Sequence, residues 1–387
     1  MIPLAVPNLA GNEARYLQEC IDSTFVSSVG PFVDRLEEQV AAAAGTTGAV
    51  AVASGTAGLH LALRTVGVGP GDLVVLPSLT FVASANAISY CGATPWLFDA
   101  DPGSLTLDVA QVAAALADEV DATGDGPVHR ATGRRVAAML AVHTLGHPAD
   151  IDPLVELGGE LDVPVVADAA AALGATYRQR PVGRTGAAVS VFSFNGNKTI
   201  TSGGGGALVA DDPALLDRAR HLSTTARTGR GYDHDEVGYN YRMTNLQAAV
   251  GCAQMEQLED FVAAKRRIQA AYAERLGDLP GVRPLPEAPW AHSACWLAGM
   301  VVDGRAPDEL DALRERLRAR EVDARPFWRP MHQQAPYRDA PRAAQDVTEA
   351  VWPRVLTLPC STGLTDAELD HVVTAVRAEV ASVEGRA

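Results

Sequence analysis

Lysine is almost missing from this chain. Of its 32 basic residues, 30 are arginine, and the two lysines are Lys198 and Lys265. Arginine stays protonated in proteins whereas lysine can release its proton, so chemistry that needs a free amine has two candidates. Positive charge is scarce as well: 32 Lys+Arg face 47 Asp+Glu, a formal net charge of −15. Nucleic acids and anionic membrane surfaces require a basic face, so neither is expected as a partner. Cysteine is sparse and scattered. Cys20, Cys91, Cys252, Cys295 and Cys360 are odd in number, and no CxxC or Cys/His pair has zinc spacing. Neither a disulfide framework nor a metal site is expected. Long apolar runs are also lacking. The uncharged stretches 39–63 and 73–98 are broken, the first by Gly45, Gly48, Gly55 and Gly58, the second by Pro77, Pro95 and several Ser, Thr and Asn. A membrane span needs roughly 20 continuous apolar residues. The opening MIPLAVPNLAGNEARY has no basic region and two prolines, which is not a signal-peptide pattern. With 47% hydrophobic and 20% charged residues over 387 positions, the expectation is a soluble, cytoplasmic, globular protein, neither disordered nor coiled coil.

What is present is a rhythm of short apolar runs and helical stretches. GAVAVAS, LVVLP, TPWLFD, RVAAMLAVH, VPVVAD, VSVFSF and GGALVA, between residues 48 and 210, read as strands separated by helices. Runs without alternation predict a mostly parallel sheet covered on both faces, hence an α/β protein whose ligand site lies at the carboxyl ends of the strands. Residues 121–134 read as a surface loop and 212–280 as helical with a polar break at 225–240. Beyond a Pro-rich stretch, strand-like WLAGMVV and two amphipathic helices predict a smaller α+β unit. The expected division is residues 1–260 and 261–387.

Lys198 stands between a strand and the run Gly203–Gly206. Glycines there suit a ligand-cradling loop. A Walker loop is excluded because Asn197, not glycine, precedes the lysine. A surface lysine in a turn is one possibility; Schiff-base chemistry, for which guanidinium will not serve, is the other. Asp168 ends the run VPVVAD. A carboxylate there either caps the next helix or meets a cation such as the protonated ring nitrogen of pyridoxal phosphate. Ser54-Gly55-Thr56-Ala57 lies between strand and helix, where N–H groups and a hydroxyl form either an ordinary cap or a phosphate site. Phe81, at a strand end, is a candidate to stack on a flat ring or to fill the core. His143 and His147 have chelating spacing but flank Gly146 in an apparent loop, so metal is discounted. Lys265, in AAKRR, reads as part of a solvated helix face.

The order of these signals is specific. Ser54-Gly55-Thr56-Ala57, Thr80-Phe81-Val82-Ala83-Ser84, Val142-His143-x-x-Gly146, Asp168-Ala169-Ala170, Ser193-Phe194-x-Gly196-Asn197-Lys198 and Gly238-Tyr239-Asn240-Tyr241-Arg242-Met243, followed by Arg325-Pro326-Phe327-Trp328-x-Pro330-Met331-His332 and Leu358-Pro359-x-Ser361, span the chain. Together they resemble the DegT/StrS-type sugar aminotransferases, which are fold-type I pyridoxal phosphate enzymes with a large domain and a smaller C-terminal one.

The resemblance implies a role for each matching residue. Lys198 forms the Schiff base and shuttles the proton, and Asp168 pairs with the pyridinium. Ser193 with the turn Gly55-Thr56-Ala57 holds the phosphate, Phe81 stacks on the ring, and Asn240 reaches the phosphate of a neighbouring subunit. The last role implies a homodimer with shared active sites. Arg242, Trp328 and His332 are implied substrate contacts, and no metal is implied. One position departs from the pattern. After Asp-Ala-Ala the family usually carries Gln, His or Glu, and this chain has Ala171.

The implied reaction is amination of a nucleotide-activated keto-sugar, with glutamate as donor and the cofactor passing through its pyridoxamine form. The spelling Gly196-Asn197-Lys198-Thr199-Ile200-Thr201 is similar to members that act on C4 of a 4-keto-6-deoxy sugar. The alternatives are a 3-keto sugar or cyclitol ketone, or a non-catalytic pyridoxal phosphate-binding regulator.

Overall fold

The computed structural model describes residues 1–124, 126–229 and 231–384. The apolar runs form one central sheet in the spatial order Gly48–Val52, Gly206–Ala210, Val189–Ser193, Val165–Asp168, Arg134–Val142, Leu73–Pro77, Thr94–Phe98. The strand Gly206–Ala210 runs antiparallel to both neighbours and the remaining pairs are parallel. The α/β class is as expected, in a sheet mixed chiefly by the reversed strand Gly206–Ala210. Leu73–Pro77 and Val165–Asp168 are buried at every position because helices cover both faces, which is why their sequences do not alternate.

One expectation fails. Part of 121–134 is not a loop: Val120–Thr123 pairs with Gly126–His129, and that strand pairs in turn with Arg134–Val142. Asp125 lies outside the described residues. His129 anchors this hairpin because it is buried, packs 4.7 Å from the Trp96 ring and bonds through its two ring nitrogens to Thr132 and Glu119.

A second, antiparallel sheet orders Val282–Pro284, Ala298–Val302, Val355–Leu358 and Arg325–Pro326. The helices Pro307–Ala319 and Asp366–Glu384 cover it through Leu310, Leu313, Leu317, Leu369, Val372 and Val376. The helix Leu258–Leu276 belongs to two cores. Leu258, Phe261 and Val262 pack with the large sheet's helices, whereas Ile268, Tyr272 and Leu276 pack with the small sheet. The first residues also join the small-sheet core: the Ile2 N–H donates to the Glu321 carbonyl and the Cys360 N–H to the Leu4 carbonyl, each at 2.7 Å, and Leu4 is buried in the same cluster. No helix among the described residues is long and apolar enough to cross a membrane.

Candidate active site

The carboxyl ends of the parallel strands and the edge of the small sheet enclose a cavity of about 540 Å³. Asp168 and Lys198 both line it. Asp168 is carried there by the buried strand Val165–Asp168, with the ends of Arg134–Val142 and Val189–Ser193 on either side. Its carboxylate accepts hydrogen bonds from Ser84 Oγ at 2.6 Å and from the Ala170 N–H at 3.1 Å. Burial nevertheless raises its pKa above the ordinary carboxylate value, against the pull of these two bonds and of Lys198. An acid so placed is eased by a cation. Lys198 is the matching half. Its half-buried amine lies 3.5 Å from the Trp296 ring centroid, and desolvation lowers its pKa to about 8 although Asp168 acts to raise it. An amine held there is partly unprotonated near neutral pH and can act as a nucleophile.

Trp296 was not singled out in the sequence, yet it organises this corner. Its indole N–H donates to the Asn197 carbonyl at 2.6 Å, next to Lys198, and its backbone N–H to the Leu145 carbonyl at 3.0 Å. Its own carbonyl accepts from Lys265 Nζ at 2.9 Å. The solvated-face expectation for Lys265 is therefore wrong. The side chain is 2% exposed and donates also to the Cys360 carbonyl at 2.9 Å, so both lysines of the chain converge on one tryptophan. The ring of Trp296 is within 6.0 Å of Trp328, which is tilted against Phe81 at 5.6 Å. Phe81 is 52% exposed and lines the cavity, so it is not core.

Opposite this wall the helix Gly55–Thr65 points its N-terminus at the cavity, capped by Ser54, whose Oγ accepts from the Ala57 N–H at 3.1 Å. Gly55 and Thr56 line the cavity, whereas Ala57 does not. The approach of this helix to the sheet requires small residues. A Cβ on Gly55 would lie 2.7 Å from Ser193 Cβ, and one on Gly206 would lie 2.5 Å from the Phe192 carbonyl oxygen and 2.9 Å from the Gly55 nitrogen. Ser193 is thereby held beside a helix N-terminus, a natural anion site.

Besides Ala57, three residues expected at the site do not line it. Asn240 is exposed and bridges to Thr224, and Arg242 pairs along the backbone with Val52, its guanidinium 3.9 Å from Asp34. His332 has both ring nitrogens engaged, Nδ1 with Ser78 Oγ at 2.6 Å and Nε2 with Glu349 at 2.5 Å. Each member of the discounted metal pair has one ring nitrogen engaged: His143 Nδ1 accepts from the Ala149 N–H and His147 Nε2 from the Ala288 N–H. Ser84 is a residue that the sequence does not mark out, because a serine in the first turn of a helix carries no signal that it reaches a carboxylate 84 residues away.

Known proteins resemble this chain in sequence and fold. The family model described as the DegT/DnrJ/EryC1/StrS aminotransferase family matches residues 7–377. A GDP-perosamine synthase of Caulobacter vibrioides is 37% identical over 382 residues, covering 97% of both chains. Among solved structures, S. venezuelae DesV in complex with a ketimine intermediate superposes with a TM-score of 0.85 and 34% identity, over 95% of this chain and 94% of that one. The aminotransferase TlmJ from Streptoalloteichus hindustanus superposes with a TM-score of 0.88 and 30% identity, over 99% and 100%. The chain is a pyridoxal phosphate-dependent aminotransferase and belongs to the DegT/DnrJ/EryC1/StrS aminotransferase family.

Proposed function

We propose that this enzyme aminates the C4 ketone of a nucleotide-activated 4-keto-6-deoxy sugar, using glutamate as amino donor, in a homodimer with shared active sites. The observation that carries the reading is the convergence of Lys198, Asp168 and the N-terminus of the helix Gly55–Thr65 on one cavity. These residues fit the cofactor. The buried carboxylate of Asp168, pushed toward protonation by its surroundings, accommodates a pyridinium, and Gly55, Thr56 and Ser193 present donors to a phosphate.

When bound, pyridoxal phosphate supplies an electron sink for the carbon that gains or loses a proton. Lys198 contributes the amine that holds the cofactor and then carries the proton at Nζ between the reacting carbons. With the cofactor bound, Asp168 would hold its negative charge against the ring nitrogen and favour that nitrogen's protonated form, with Ser84 fixing the carboxylate. Trp296 covers the lysine and limits water around it. Phe81 and Trp328 offer flat surface to the cofactor and sugar, and Arg325, held by Asp323 at 2.8 Å, lines the cavity as a cation suited to a donor carboxylate or a diphosphate.

The name of the Caulobacter relative, with its GDP-linked product, supports a sugar nucleotide, and the Gly196–Thr201 spelling favours C4. Ile21, Phe25, Val26 and Val29 are 43–65% exposed, an apolar group that a second copy would cover. The exposed Asn240 is available to the partner's site. A panel of nucleotide keto-sugars incubated with glutamate and followed by mass spectrometry tests the reading. Gain of an amine on a 4-keto-6-deoxy sugar is expected, and amination of 3-keto sugars or cyclitols alone would refute it.

A further inference from the structure

His143 follows the strand Arg134–Val142, and its backbone N–H donates to the Asp168 carbonyl at 3.0 Å. The residue is 1% exposed and lines the cavity that holds Asp168 and Lys198. Because Nδ1 accepts the Ala149 N–H at 3.1 Å, the single proton of the neutral ring sits on Nε2. Burial, reinforced by His147, holds the ring in that neutral form. Nε2 has no acceptor among the described residues. The Asp168 carboxylate does not serve it, being engaged by Ser84 and Ala170. A buried N–H left without an acceptor is costly and calls for an explanation.

The backbone around this ring is built for close approach. Leu145 and Gly146 are both left-handed, at φ 57° and 92°, and a Cβ on Gly146 would lie 2.8 Å from the Ala171 carbonyl oxygen. The turn carrying His143 is thus pressed against Ala171, which lines the same cavity and offers only a methyl group. Pyridoxal phosphate has four polar features. Its ring nitrogen is matched by Asp168, its aldehyde by Lys198 and its phosphate by the Gly55 helix, which leaves the phenolic oxygen O3′ without a donor among these residues.

We propose that the Nε2–H of His143 is the hydrogen-bond donor to O3′ of the cofactor, in a chain whose position 171 cannot supply one. The inference rests on the cofactor lying between Asp168 and Lys198. The test compares binding of pyridoxal phosphate and of its 3-O-methyl analogue by the parent protein, His143→Phe, and His143→Phe combined with Ala171→Gln. The parent should prefer the natural cofactor, and His143→Phe should weaken it about tenfold while binding the methylated analogue as the parent does. The visible band of the bound cofactor should shift in that variant, and Ala171→Gln should restore affinity and band together. Equal weakening of both cofactors, which a merely structural role would produce, overturns the proposal. So does a parent that does not discriminate between them, a result that needs no variant to fold. Failure of borohydride to fix pyridoxal phosphate to Lys198 in the parent would instead overturn the underlying site assignment, and the proposal with it.

Discussion

The two lysines should respond oppositely when their charge is removed. In the cofactor-free protein Lys198 has a ring face against its amine and no hydrogen-bond acceptor among the described residues, and its pKa falls from 10.5 to about 8. The unfolded chain therefore binds more protons than the folded one between those values, and stability rises with pH across that window. Below about pH 8 the penalty is fully present, and above about 10.5 it is gone. At 1.36 kcal/mol per pH unit the depression corresponds to about 3 kcal/mol, which partial solvent access to the half-buried side chain reduces to about 1–3 kcal/mol. Lys198→Met should thus stabilise the apoprotein at pH 7 by that amount while abolishing transamination, an instance of strain kept for function. The assay is urea unfolding of both apoproteins, stripped of cofactor with hydroxylamine, at one protein concentration and at pH 7 and about 9.5. The gap should shrink to under about half at the higher pH. A variant less stable than the parent at pH 7, or a gap that does not change with pH, refutes the argument.

Lys265→Met should destabilise by about 2–4 kcal/mol, because a buried amine with two carbonyl acceptors is lost, which takes the donor from the Cys360 carbonyl and leaves the Trp296 carbonyl with the weak Cys360 Sγ–H at 3.6 Å; the urea midpoint measures it. Asp168→Asn keeps the shape of the Ser84 contact but removes the charge opposite the pyridinium, and single-turnover amination should slow by about 10²–10⁴-fold with folding intact. Gly206→Ala drives a methyl into the Phe192 carbonyl and the Gly55 nitrogen, so pyridoxal phosphate affinity should fall at least about tenfold through displacement of the phosphate helix. A dialysis titration that gave parental affinity would contradict that packing argument.

Much of this was legible before any coordinates. The strands announced themselves because burial on both faces leaves no polar position to blur the pattern; Asp168 stood at a strand end where charge is expensive, and Lys198 between a strand and a glycine run. Lys265 was not, although a signal was there. Leu258, Phe261, Val262, Lys265, Ile268, Tyr272 and Leu276 share one buried helical stripe, and the lysine occupies an apolar phase of it. Its neighbours Arg266 and Arg267 drew the eye to charge rather than phase. What no local pattern encodes is the pairing partner: the carbonyls of Trp296 and Cys360 lie 31 and 95 residues away. For the same reason Trp296 passed as an ordinary strand residue. His332, by contrast, was picked out by motif, and only the packing of Ser78 and Glu349 around its ring shows both nitrogens already spent.

The bonding of residues 2–4 to residues 321–323 and 360 also bears on how the chain is made. Leu4 N–H reaches Asp323 across 319 positions, and Leu4 packs in one cluster with Leu369, Val372 and Val376. A ribosome delivers the first of these residues long before the last. The large sheet can close once residue 210 has emerged, but residues 2–4 must wait without their C-terminal partners until synthesis is nearly complete. Loop-closure entropy over such a span makes this the slow contact of folding, so a nascent chain arrested near residue 300 should hold a protected central sheet and a protease-sensitive beginning.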